Sequence, residues 1–149
     1  MSGLISYSEA TRYTPEKYEE ARSWCKKNDK PLPKHLLYPR VKGFVTTVQH
    51  LRKAAHMTAV YDLTIAYSHG HKFLSAPSMW ETLSLSNLSK VRGYKFEVHV
   101  ERFELKSLPE TDDELATWLE HRWLAKGDWL EEKRMSWART KNTDMLVGA

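Results

Sequence analysis

Between Met57 and Tyr67 the chain alternates, with Ala59, Tyr61, Leu63, Ile65 and Tyr67 on every second position. That is the period of a strand, whose successive side chains point to opposite faces; no helix gathers these five residues on one side. The stretch before it has the other period. Val41, Val45, Val48 and Leu51 recur at helical spacing in a segment from about Lys42 to Ala54. Further upstream, Thr14 reads as an N-cap with Pro15 at the first helical position. The helix they open runs to about Asn28, with Tyr18, Ala21, Trp24 and Cys25 on one face, and Lys30-Pro31-Leu32-Pro33 ends it as a stiff connector. Leu4 to Tyr7 reads as a short strand. Strands alternating with helices predict an α/β fold: a parallel sheet of about four strands with helices packed against it.

The second half is organised differently. Ser68 to Gly93 is a Ser-rich loop insertion with scattered apolar residues, including Phe73, Leu74, Met79, Trp80, Leu83 and Leu85, and loops this long are usually functional or mobile. Tyr94, Phe96, Val98 and Val100 alternate as a strand. Phe103 and Leu105 fall out of that register, which predicts a bulge near Glu101 and Arg102. Thr111-Asp112-Asp113-Glu114 is a capping box. It launches a long amphipathic helix carrying Leu115, Trp118, Leu119 and Trp123, with Gly127 as an expected interruption before Trp129 and Leu130. The expected divisions are 1–67, the insertion 68–93, a strand and helix over 94–139, and a tail over 140–149.

The 149 residues carry a formal charge of +4, and a mildly basic surface suits nucleic acid, anionic lipid and phosphorylated ligands alike. The cations are interleaved with 19 acids and no aromatic RNA-binding strand pair is evident, so no nucleic acid is expected and that reading is the weakest alternative. Six Trp and seven Tyr point to large aromatic core members or to a surface that meets lipid headgroups. A lone Cys25 excludes an internal disulfide. No run reaches the roughly 20 apolar residues of a spanning helix, and the first residues have no signal-peptide pattern. His69-Gly70-His71 lacks a third ligand nearby and reads as polar loop; no metal is expected.

Three blocks carry a resemblance. Ser8-Glu9-Ala10-Thr11-Arg12-Tyr13-Thr14-Pro15-Glu16-Lys17 resembles the Glu-Gly-Thr-Arg block of the lysophospholipid acyltransferase family, the 1-acyl-sn-glycerol-3-phosphate acyltransferase-like proteins. Lys34 to Phe44 resembles that family's next, proline-bearing block, and Ala59 to Ile65 the strand after it. Order and spacing are kept from about Leu4 to Trp129, and the chain looks like the carboxy-terminal part of such a protein. The resemblance implies transfer of an acyl group from acyl-CoA, a co-substrate rather than a bound cofactor, to a lysophospholipid such as lysophosphatidate. It also implies a membrane surface, that of the endoplasmic reticulum.

The implied substrate-binding residues are Glu9, Thr11, Arg12, Pro39, Arg40 and Lys42. Arg12 would offer a forked donor set to the acceptor phosphate, and Glu9 would orient it or accept from glycerol hydroxyls. The helix start near Pro15 would add N–H groups and a favourable dipole. Two departures stand out. Ala10 replaces the family's glycine, a change that matters if the backbone there needs positive φ or close ligand approach. The family's base is a histidine followed five positions on by aspartate, and none of the seven histidines here has one. His99 is followed by Glu104 at that spacing, and Asp62 lies six positions beyond His56. A positioned base contributes roughly 10²–10⁴-fold, so this chain alone is expected not to turn over. The rival is a non-enzymatic remnant that binds lipid or a partner.

Overall fold

The computed structural model describes residues 4–9, 11–70, 72–84 and 86–147, with side chains described to residue 139. Helix α1 spans Pro15–Lys27 and α2 spans Val41–Leu51. Strand β1, Ala59–His69, is followed by the two-residue β2, Lys72–Phe73, and two short helices, α3 (Met79–Ser84) and α4 (Leu88–Arg92). Strand β3, Tyr94–Glu104, leads through a 3-10 turn into α5, Asp112–Val147. The mixture of helices with a small sheet is of the α/β class, ending in the expected long helix.

The helix starts follow their local chemistry. Thr14 caps α1 by accepting from the Lys17 N–H at 3.3 Å. At α5, the Thr111 hydroxyl accepts from Glu114 N–H at 3.3 Å and donates to the Glu114 carboxylate at 2.8 Å, which is the capping box. Two expectations are corrected along the helices. Trp24 is 47% exposed rather than on the packed face of α1, where Cys25 is buried. Gly127 does not interrupt α5, which is continuous for 36 residues. Its role is steric: a Cβ there would lie 2.7 Å from the backbone N and 2.8 Å from the carbonyl O of Lys34.

The sheet has three strands among the described residues, in the order β2-β1-β3. β2 returns antiparallel to β1, with Ser68 opposite Phe73 and His69 opposite Lys72. β3 is also antiparallel to β1. Its far end lies beside the start of β1, where Leu105 N–H donates to Thr58 O at 2.9 Å, and its near end lies where Tyr94 stacks on His69 at 4.4 Å. Exposed and half-buried residues alternate without a break from Phe96 to Glu104, so the expected bulge leaves no shift of face at Glu101 and Arg102, and Phe103 points to the face opposite Phe96, Val98 and Val100. The expected parallel arrangement fails because the 70–93 segment brings the chain back to the end of β1 it left. The expected fourth strand fails too, since Leu4–Tyr7 is exposed and unpaired with the sheet.

Contacts divide the chain into two units. The first comprises residues up to 61 together with 102–129. Its core is Val45, Val48, Leu105, Leu108 and Leu115, joined by Phe44 stacked on Trp118 at 5.8 Å and Phe103 edge-on to Trp118 at 5.1 Å. Arg52 closes it, donating to the carbonyls of Leu108 at 2.9 Å and Pro109 at 2.6 Å. The second comprises 62–101 and the chain from Leu130 on. There α5 covers one face of the sheet through Trp137, against which Phe73 packs edge-on and over which Lys95 Nζ sits at 4.4 Å.

Candidate functional site

The first unit brings two of the sequence blocks together. Arg40 N–H donates to Ser8 O at 2.7 Å, so the backbone before Glu9 runs against the backbone that enters α2. The Glu9 carboxyl accepts from the backbone N–H of Leu37, on the same strand-like segment. Glu9 and Arg12 on one side, with Pro39, Arg40 and Lys42 on the other, thus belong to neighbouring segments, though they are some thirty residues apart in sequence.

Glu9 is the most perturbed group of the set. Burial pushes its carboxyl up to about 7 from an ordinary 4.5, against the opposing pull of the Trp123 indole, the Leu37 N–H and the Lys126 charge. Trp123 Nε1 is buried and has no well-formed hydrogen bond among the described residues, and the Glu9 carboxyl is the acceptor it approaches. Lys126, 8% exposed, places its Nζ 4.4 Å over the Trp123 ring. α5 therefore supplies the wall against which Glu9 is held.

The cations face outward. Arg12, Arg40 and Lys42 are exposed, and none has a carboxylate partner among the described residues. Pro39 is buried and stiffens the entry to α2. Thr11 is engaged, its hydroxyl bonded to Lys17 Nζ. The helix start near Pro15 is not the open one that the sequence suggests, because Thr14 takes the Lys17 N–H. The N-terminus of α2 is the open one: its cap residue Arg40 makes no side-chain cap bond, and no acid sits in its first turn. Orphan N–H groups there favour an anion. Ala10 lies outside the described residues, as does His71.

Behind the cations the segment is anchored to α5. Burial opposes ionising Glu120, but hydrogen bonds from Lys30 Nζ, at 2.8 Å, and the Tyr38 hydroxyl hold its carboxyl below the usual range. Lys34 Nζ pairs with Asp128 at 3.0 Å. An open groove of about 710 Å³, lined by Arg52, Met57, Thr58, Arg102 and Glu110 among others, lies elsewhere in this unit and holds none of the site residues. Among the described residues no group of three metal-ligating side chains occurs.

Sequence reasoning missed Trp123 and Lys126 as site neighbours, reading Trp123 only as core or contact. The signal was present: Leu119, Trp123, Lys126 and Leu130 follow one another at helical spacing, which puts a lysine in an apolar row.

Two basic segments thus lie around a partly buried carboxyl, and comparison with known proteins shows what the chain resembles. Residues 86–132 match the family model described as acyltransferase C-terminus. Over 129 residues the chain is 30% identical to 1-acyl-sn-glycerol-3-phosphate acyltransferase 2 of Brassica napus, covering 87% of this chain and 30% of that protein. It is 32% identical to 1-acyl-sn-glycerol-3-phosphate acyltransferase delta of Homo sapiens, covering 87% and 31%. Lysocardiolipin acyltransferase 1 of Mus musculus is 28% identical over 123 residues, covering 83% and 30%. The chain is similar to these acyltransferases over most of its length, and its match to the acyltransferase C-terminus family covers residues 86–132. It spans about 30% of the length of the curated relatives it matches. No solved structure matches it.

Proposed function

We propose that this chain forms the acceptor-binding part of an acyl-CoA-dependent acyltransferase that acylates lysophosphatidate or a related lysophospholipid at the endoplasmic reticulum membrane. Arg12, Arg40 and Lys42, with the open start of α2, take the acceptor phosphate, and Pro39 and Thr11 form the wall between them. Arg12 offers the bidentate geometry that a phosphate matches best. Glu9, near half-protonated at neutral pH, can donate to or accept from the glycerol hydroxyls without setting a full negative charge beside the phosphate. The acceptor's free hydroxyl would attack the acyl thioester, the new ester forming as the bond to sulfur breaks and CoA leaves as its thiol; the group that removes the hydroxyl proton is not among these residues.

The observation that carries this is the 2.7 Å bond from Arg40 N–H to Ser8 O, which sets the two blocks side by side with cations that no described carboxylate neutralises. In isothermal calorimetry, Arg12→Ala should weaken lysophosphatidate binding by roughly tenfold or more. Unchanged affinity would remove Arg12 from the site. In an acyl-transfer assay the chain alone should not exceed a heat-killed control; turnover would show that a base lies within it.

A further inference from the structure

The sheet of the second unit is amphipathic with its polar side inward. Phe73 and Lys95 meet Trp137, and Glu97 pairs with Lys133, so the face that carries them is the one α5 covers. Thr64 and Ala66 are buried on that face, at 6% and 0% exposure. The opposite face, with Leu63, Ile65, Phe96, Val98 and Val100, is 43–54% exposed. Leu63 and Ile65 alternate onto this face of β1 and Phe96, Val98 and Val100 onto the same face of its neighbour β3, so these side chains form one patch rather than scattered singles.

Charge is sorted along with polarity. Asp62, Glu97 and Glu101 alternate onto the α5 face, which leaves the apolar face of residues 62–69 and 94–101 without a carboxylate. Lys72, directly opposite His69, shares the apolar face. At the same end Arg92 lies close to Tyr94 and to Glu81 of α3. Glu81 is the one acid there, and its carboxylate is occupied by the N–H and hydroxyl of Ser78, both at 2.9 Å. α3 adds Met79, Trp80 and Leu83, the most exposed of the large hydrophobic side chains described in this unit at 77, 76 and 73%.

We propose that this sheet face and α3 seat on the surface of an anionic phospholipid bilayer, with the apolar side chains at the headgroup–acyl boundary and Lys72 and Arg92 at lipid phosphates. An apolar field edged by cations and free of strand carboxylates is complementary to such a surface. Trp80 at its margin is the residue type that settles at headgroup level. A second copy of the same face would offer Lys72 no carboxylate. The inference rests on the reading that the chain works on membrane lipid, and it names the surface that would meet that membrane.

The test is flotation of the whole chain with phosphatidylcholine vesicles, with and without phosphatidylserine, whose headgroup has no phosphomonoester, and always without lysophospholipid, so that the acceptor site is not being read. The chain should float with the phosphatidylserine vesicles. Paired Ile65→Ser and Val98→Ser substitutions, at already exposed positions, should reduce partition roughly tenfold. Trp80→Ser should also weaken it, and Lys72→Glu should weaken it only where phosphatidylserine is present. Arg12→Ala should leave flotation unchanged while lowering lysophosphatidate affinity, which keeps the two readings separable. Absence of flotation, or flotation indifferent to the sheet substitutions, would overturn the proposal. So would a dimer in sedimentation equilibrium that the same substitutions dissolve without vesicle binding, since that assigns the face to a second copy.

Discussion

Replacing Gly127 with alanine sets two effects of opposite sign against each other, and the structure decides between them. Within a helix, alanine is favoured over glycine by about 1 kcal/mol. On α5 the new Cβ would instead stand 2.7 Å from Lys34 N and 2.8 Å from Lys34 O, closer than carbon and backbone atoms tolerate. The Lys34 backbone has little room to retreat. Pro33 beside it is buried and its carbonyl accepts from the Tyr18 hydroxyl at 3.2 Å, while Lys30 and Lys34 are tied to Glu120 and Asp128. Overpacking of this kind costs about 1–3 kcal/mol. After the propensity gain, a net loss of up to about 2 kcal/mol is expected, which lowers the melting temperature by up to roughly 8 °C. The same shift would move the segment from Lys34 to Arg40 relative to Trp123 and Lys126, so acceptor affinity should fall with stability. Thermal denaturation followed by circular dichroism reads the first effect. A Gly127→Ala chain more stable than the parent, showing the full propensity gain of about 1 kcal/mol, would refute the close approach.

Glu9 gives a pH signature. Its carboxyl is raised from 4.5 to about 7 on folding, so between those values the folded chain holds a proton that the unfolded chain has released. Stability should therefore fall as pH rises through that window, by at most roughly 3 kcal/mol, and Glu9→Gln should flatten the slope in urea titrations at stepped pH. Thr111→Ala removes both bonds of the α5 capping box and should cost about 1 kcal/mol by chemical denaturation. Cys25 is 2% exposed, and burial together with the Glu120 charge pushes its thiol up. It should alkylate with iodoacetamide roughly tenfold or more slowly than free cysteine until the chain is unfolded.

Much of the local architecture was legible because its causes are local. Thr14-Pro15 and Thr111 to Glu114 start helices through their own side chains, and Val45 and Val48 mark the packed stripe of α2. What could not be read depends on partners distant in sequence. Alternation places Leu63 and Ile65 on one face of β1 but does not say which face α5 will cover, and it covers the other. Phe103 looked out of register because its stretch of strand meets the core of the first unit, whereas Phe96 to Val100 point the opposite way. Gly127 read as a helix breaker because the Lys34 backbone it accommodates lies more than ninety residues earlier. At the site, the family blocks pointed to Glu9, Arg12 and Arg40, but the closeness of Ser8 to Arg40, and the Trp123–Lys126 wall, required the fold.

The most direct test of the acceptor-site reading compares two ligands that differ only in the phosphate. Binding of lysophosphatidate and of the corresponding monoacylglycerol would be measured calorimetrically on the purified chain, and again on Arg40→Ala. The account predicts that lysophosphatidate binds more tightly, that the preference shrinks in Arg40→Ala, and that it weakens with salt as an ionic contact should. Equal affinity for both ligands, unaltered by Arg40→Ala, would contradict a phosphate site between the Glu9 and Arg40 segments.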